Sequence, residues 1–194
     1  VEAVIGTFHV GRAAILLLDE GRGQFLPRAF SGYQPEHISR MKIKEVDELP
    51  RWIGEYKQIL IKDNITDADE FPLHRQLNIL GAELAIGLFA RGRLIGFLAM
   101  GKKVIGRDFS DEDLRLAAVI GDYLGIAIEN AELYRKIAVQ RLYNDKVLNS
   151  LKNGVITVDI SGNIVSFNRS AGEILEVDPD AMIGKKVETL GSQF

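Results

Sequence analysis

Three histidines, His9, His37 and His74, are the residues here with the chemistry for proton transfer, phosphoryl acceptance or metal ligation. They are scattered along the chain, and none sits in an H-E/D-x-x-T/N-P phosphoacceptor context. Each reads as a surface or packing residue, and nothing in the spacing around His74 supports heme ligation. The acidic run "KDNITDADE", with Asp63, Asp67, Asp69 and Glu70, offers hard oxygen ligands of the kind a divalent cation takes. It lacks the Asp-x-Asp-x-Asp-Gly ladder and distal Glu of a calcium loop, so it reads as a solvated loop that caps the next helix. Gly21-Arg22-Gly23 leads into a strand and not into a helix N-terminus, which makes it a hairpin turn rather than a phosphate cradle. No Ser-His-Asp order is recognisable. The chain has no cysteine, which removes disulfides, thiolate metal sites, a cysteine nucleophile and any thioether-linked chromophore. No catalytic constellation and no metal site emerge, and no enzymatic activity is expected of this fragment.

Hydrophobic residues make up 46% and charged residues 26% of the 194, the balance of an ordinary globular protein with enough apolar material for a core. A net charge of −3 without a basic stripe argues against a nucleic-acid or anionic-membrane partner. The longest unbroken apolar run, Ala13 to Leu18, falls far short of the ~20 residues of a spanning helix. No signal peptide precedes it, so a cytoplasmic location without membrane contact is expected of this fragment. The first residue is Val1 rather than Met, which reads as a piece cut from a longer protein whose flanks could still hold a membrane segment.

The elements that would position any site come from patterning. "AAILLLD" (13–19) and "QFLPRAFS" (24–31) read as an antiparallel hairpin about "EGRG". "MKIKEV" (41–46) alternates with period two, "QILI" (58–61) is another short strand, and "DELPRWIGEYK" between them reads as helical. "EFPLHRQLNIL" (70–80) is a loop entering a short helix. The strongest strand signal is "ELAIGLFARGRLIGFLAMG" (83–101), two apolar strands about a tight turn at Arg91-Gly92-Arg93. Ser110 and Asp113 then form a capping box, and a helix of roughly 40 residues is expected from Asp111 to about Leu151, ~60 Å long.

Two apolar faces run along that helix. Leu114, Ala117, Gly121, Leu124, Ile128 and Ala131 form a stripe of small residues suited to close approach to a sheet. Leu116, Val119, Tyr123, Ile126, Asn130, Leu133, Ile137, Gln140, Asn144, Val147 and Leu151, spaced by three and four, form a heptad seam. A monomer has nothing obvious to cover the seam beyond residue 133, so a parallel helical pair in a homodimer is expected. Asn130, Gln140 and Asn144 would weaken the seam and could fix its register.

On "AAILLLDEGRGQF", "ELAIGLFARGRLIGFLAMGKK" and above all "RDFSDEDLRLAAVIGDYLGIAIENAELY", residues 4–134 resemble a GAF domain, the small-molecule-sensing module of bacterial signalling proteins. The resemblance implies an α+β fold: a central antiparallel sheet of about five or six strands flanked by helices, closed by the long helix, with a ligand cavity under loops and a short helix. Carried onto this chain, it implies cavity walls at Phe30, Trp52, Ile53, Ile65, Phe71, His74, Leu77 and Glu83. Trp52, the one tryptophan, reads equally as plain core. The Asn-Lys…Phe-x-x-x-Asp-Glu signature of cyclic-nucleotide GAF domains is missing, and without cysteine no bilin can be attached through a thioether. No cofactor is evident, and an unidentified small-molecule ligand is possible.

"LNSLKNGVITVDISGNIVSFNRSAGEILEV" (148–177) resembles the start of a PAS domain, with Gly154, Val155, Ile156, Asp159, Gly162, Ile164, Asn168 and Ala171 filling the family pattern. A complete PAS domain needs ~100 residues, so a truncated hairpin and helix are expected, with strands poorly packed or held by a neighbouring chain. The expected organisation is a GAF domain at 1–134 with a truncated N-terminal helix, a coiled-coil linker at 135–151 and an incomplete PAS domain at 152–194. The implied function is a sensor module of a signal-transduction protein, with a sensor histidine kinase as the expected parent and an output domain downstream. A ligand-free dimerisation scaffold, or the sensor part of a diguanylate cyclase or transcription activator, are the alternatives.

Overall fold

The computed structural model describes residues 1–57, 59–65, 71–105 and 108–191. They fall into two compact units, Val1–Asn130 and Ala131–Phe194.

The first unit is built on a six-stranded antiparallel sheet in the order β3-β2-β1-β6-β5-β4. Its strands are β1 (Ala13–Asp19), β2 (Gln24–Ser31), β3 (Ile43–Lys44), β4 (Leu60–Ile61), β5 (Leu84–Ala90) and β6 (Arg93–Met100). The two expected hairpins, β1–β2 and β5–β6, are both present. The second turns through Arg91 and Gly92 at φ 50 and 79. Two consecutive left-handed residues match the right-handed twist of the flanking strands. Pro27 sits in β2 beside Leu16 of β1, and β3 pairs only with Gln24 and Phe25. The missing N–H of the proline therefore faces no partner strand. The expected strand at 41–46 shrinks to Ile43–Lys44, because the chain turns at once into a short helix. Likewise only Leu60–Ile61 of the expected 58–61 strand pairs, and Gln58 lies outside the described residues.

Both faces of this sheet are covered, which explains why β1, β5 and β6 read as near-continuous apolar runs. Ala13, Ile15, Leu84, Ile86, Leu88, Leu98 and Met100 point to one side. There they meet Val4 and Phe8 of α1 (Glu2–Phe8) and Ala117 of α5 (Asp111–Ser150). Ala14, Leu16, Ala85, Phe97 and Ala99 point to the other. Three helices cover that side: α2 (Pro35–Arg40), α3 (Glu48–Tyr56) and α4 (Phe71–Leu80).

Residues 111–130 of α5 belong to the first unit and residues 131–150 to the second. In the second unit β7 (Ile156–Val158) and β8 (Ile164–Phe167) form a two-stranded sheet, followed by α6 (Arg169–Leu175), α7 (Pro179–Met182) and α8 (Glu188–Gly191). The hairpin turns at Ser161–Asn163: the Asp159 carboxylate accepts from the backbone N–H groups of Ser161 and Asn163, and Gly162 takes φ 77. These hydrogen bonds, those from Asn163 first, hold the Asp159 carboxyl below its ordinary value. A small core of Ile164, Phe167, Ala171 and Met182 lies beneath the hairpin. Val158, Val165 and Ile160 are exposed. No helix among the described residues is long and apolar enough to cross a membrane.

Candidate functional site

The helical face of the sheet is where the expected cavity residues can be placed one by one. α3 buries Leu49, Pro50 and Ile53, and α4 buries Leu73, Leu77 and Leu80. Ile53 and Leu77, both expected as cavity walls, are fully buried in one cluster with Leu16, Phe25 and Phe97. The Phe25 and Phe97 rings are 4.9 Å apart. Trp52 and Ile65 pack on the edge of this cluster, half-buried. Phe30 and Phe71 do not join them: they are 48% and 69% exposed. His74 accepts at Nδ1 from the Asn78 side chain at 3.1 Å. Glu83 pairs with Lys62 at 3.3 Å on the rim of a cavity of about 390 Å³ that is also lined by Ile61, Lys102, Lys103 and Phe109. The structure thus brings Trp52, Ile53, Ile65 and Leu77 together and leaves the other four apart. Of the acidic loop, Asp63 reaches this cavity, while Asp67, Asp69 and Glu70 lie outside the described residues.

Long-range polar contacts fix these helices, and no sequence motif announced them. The Leu49 N–H at the start of α3 donates to the Gln76 side chain of α4 at 2.7 Å. The C-terminal end of α4 is held from the other side. Tyr33 Oη donates to the Leu80 carbonyl at 3.0 Å, and His37 Nε2 donates to the Ile79 carbonyl at 2.9 Å. Burial pushes the Tyr33 hydroxyl up to about 12 against the opposing pull of the Arg12 guanidinium, which lies 5.6 Å from its ring centre. Tyr33 therefore stays a donor. Beside this anchor is a second, more open cavity of about 660 Å³, lined by His37, Arg40, Arg75, Asn78 and Glu36.

The other face is organised by the start of α5. The expected capping box is formed: Ser110 N–H donates to Asp113 Oδ2 at 2.8 Å, and Asp113 N–H donates back to Ser110 Oγ at 3.2 Å. The same carboxylate takes Lys103 Nζ at 2.6 Å, which ties the helix to the end of β6. Burial alone would raise the Asp113 pKa, but the bonds from Lys103 and Ser110 outweigh it and hold the carboxyl below its ordinary 3.8. Folding thus favours the ionised form. The cap's contribution is complete above the unfolded-state value near pH 4 and is lost as pH falls through the depressed folded value. Asp113→Asn is expected to lower unfolding stability at neutral pH by about 1–2 kcal/mol. In urea titrations the wild-type and variant midpoints should converge as pH drops below about 4.

From this cap α5 lies on β5 through small residues. Ala117, Gly121 and Gly125 are its buried positions. Leu114, Leu124 and Ile128 of the expected stripe pack half-buried beside them, whereas Ala131 is exposed. The seam residues all remain at the surface of the single chain, with Tyr123, Ile126, Leu133 and Ile137 at 72%, 56%, 47% and 44% exposure. Among the seam's polar members, Gln140 donates to Asn144 at 3.2 Å along the helix.

In the second unit one side chain gathers the local backbone. Asn168, 3% exposed, caps α6 by accepting from the Ala171 N–H and accepts at the same oxygen from the Val155 N–H. Its amide nitrogen donates to the Leu148 and Asn153 carbonyls at 2.8 and 3.0 Å. The family pattern places an Asn here, but only the fold shows that it joins four backbone groups.

Comparison with known proteins agrees with this architecture. Residues 1–130 match the family model of the GAF domain, and residues 143–190 match that of the PAS fold. Among solved structures, the chain is similar to the GAF domain of an Acinetobacter phosphoenolpyruvate-protein phosphotransferase. The TM-score is 0.52 at 21% identity, over 70% of this chain and 81% of that one. The corresponding GAF domain from Coxiella burnetii aligns with TM-score 0.53 and 17% identity over 70% and 82%. A methyl-accepting chemotaxis protein fragment aligns with TM-score 0.55 and 17% identity over 69% and 86%. No curated protein matches the sequence. GAF and PAS are sensory rather than catalytic modules. With its six-stranded sheet, its closing helix and a family match over residues 1–130, this chain belongs to the GAF domain family, with a PAS fold following at residues 143–190.

Proposed function

We propose that the chain is the regulatory sensor module of a bacterial signal-transduction protein of the sensor histidine kinase type. A small molecule engaged by the GAF domain shifts a cytoplasmic homodimer between two states, and α5 passes the change to the PAS fold and on to an output domain. The observation that carries this reading is the seam on α5. Leu116, Val119, Tyr123, Ile126, Leu133 and Ile137, with Val147 and, just past the helix end, Leu151, are each at least 41% exposed, and with Asn130, Gln140 and Asn144 they keep alternating spacings of three and four. Burying each against a second copy would contribute roughly 1–2 kcal/mol, enough together to hold a parallel pair. The wild-type protein is expected to scatter light as a dimer, twice the 21.5 kDa chain mass. Leu133→Asp or Ile137→Asp should give the chain mass alone, since two carboxylates would face each other in the seam. A dimer that survives both substitutions would overturn the reading.

A specific observation favours a second reading, a GAF domain that dimerises without a ligand. Ile53, Leu77, Phe25 and Phe97 fill the helical face with fully buried side chains. A metabolite screen separates the two. A ligand present at 100 times its Kd should add about 2.7 kcal/mol of stability and raise the melting midpoint, whereas a scaffold should show no shift with any compound.

A further inference from the structure

The last turn of α5 carries carbonyls that no helical N–H can reach. Helices commonly satisfy such groups with a left-handed residue just past the end. Here no residue from 150 to 154 has positive φ. The groups are satisfied instead by side chains. Ser150 Oγ donates to the Val147 carbonyl at 2.8 Å. Asn168, the residue before α6, donates to the Leu148 carbonyl at 2.8 Å. Ser170 Oγ, within α6, donates to the Leu151 carbonyl just beyond the end of α5 at 2.6 Å. The exchange also runs the other way. Asn149, in the last turn of α5, accepts at Oδ1 from the N–H of Arg169 at 2.9 Å, the first residue of α6. Each helix end thus supplies an asparagine that caps the other.

We propose that this exchanged pair, Asn149 and Asn168, with Ser170 beside them, is the latch through which a displacement of α5 reaches the PAS fold. The inference rests on the relay reading above and names its point of transfer. Hydrogen bonds are lost within a few tenths of an ångström beyond ~3.2 Å. A slide of α5 by one turn, ~5.4 Å, would therefore break all three bonds together unless α6 moved with it. The connecting residues Leu151, Lys152, Asn153 and Gly154 are all exposed, and the Leu151 and Asn153 carbonyls are themselves held by Ser170 and Asn168. Asn168 also anchors the Val155 N–H next to β7, so movement at the latch reaches the hairpin as well as α6.

The test is amide hydrogen exchange on the 194-residue protein, read at residues 171–175 of α6. Lys146→Gly loosens the end of α5 at an exposed position outside the seam and without touching the latch. In the otherwise wild-type protein it should speed exchange in α6 by up to about three-fold, the equilibrium effect of exchanging a good helix former for Gly. In an Asn149→Ala background, exchange in α6 should start faster, and adding Lys146→Gly should change it by less than about 1.5-fold. Ser170→Ala should act in the same direction. Asn149 is exposed, so its truncation leaves the core of the unit in place. Equal acceleration by Lys146→Gly with and without Asn149, or no acceleration in either, would overturn the latch. The readout is separate from the dimer test. A monomeric wild-type mass would remove the dimer reading and leave a measured coupling standing, and a dimer without coupling would remove only the latch.

Discussion

Replacing Gly125 with alanine should destabilise the GAF unit by about 2 kcal/mol, although alanine is the better helix former by about 1 kcal/mol. A Cβ built on Gly125 would lie 2.3 Å from the Phe89 carbonyl oxygen and 3.0 Å from its nitrogen. Both are backbone atoms of β5, so no rotamer change can relieve the contact. Either α5 lifts off the sheet or β5 shifts, and in both cases the packing of Ile86, Leu88 and Leu98 against Ala117 opens. The control is Gly6→Ala in α1. It offers the same gain in helix propensity, and a Cβ there meets nothing within 4 Å. Gly6→Ala should raise the thermal midpoint slightly, whereas Gly125→Ala should lower it by roughly 6–10 °C. Equal effects of the two substitutions in scanning calorimetry would show that α5 does not depend on this close approach.

Asn168→Ala should unfold or nearly unfold the second unit while leaving the sheet of the first intact. The alanine loses the cap on α6, about 1 kcal/mol. It also removes the partners of the Val155 N–H and of the Leu148 and Asn153 carbonyls, at ~1 kcal/mol or more for each group that water cannot reach. The sum, roughly 2–4 kcal/mol, is comparable with the whole stability of a unit with so small a core. Asn168→Asp separates the roles. A carboxylate caps a helix as well as an amide does and can still accept from Ala171 and Val155, but it turns an acceptor toward two carbonyls. If capping alone mattered, the aspartate would be tolerated. The structure instead predicts a loss close to that of alanine. Exchange protection at residues 156–175 should collapse in both variants, and protection in β1, β5 and β6 should stay unchanged.

Features whose donors, acceptors and turn residues lie close together in the chain could be read from the residues alone. The β5–β6 hairpin was legible because Arg91-Gly92 must supply two left-handed residues, and the start of α5 because Ser110 and Asp113 satisfy each other three residues apart. The family resemblance joined these pieces into a GAF domain followed by a PAS fold. The tertiary structure decided which apolar residues meet. Phe30 and Phe71 are as hydrophobic as Phe25 and Phe97, yet the first two face solvent and the second two fill the core. Which face a residue takes depends on the bulge between Ile15 and Leu16 and on where α4 lands, neither of which leaves a periodic trace. Gly125 was passed over in favour of Gly121, because a backbone contact with Phe89 cannot be read from residues 36 positions apart. The hold of His37 and Tyr33 on the end of α4, and of Asn168 on the end of α5, went unseen for the same reason. Each satisfies a backbone group far along the chain, and only the folded chain brings donor and acceptor within reach.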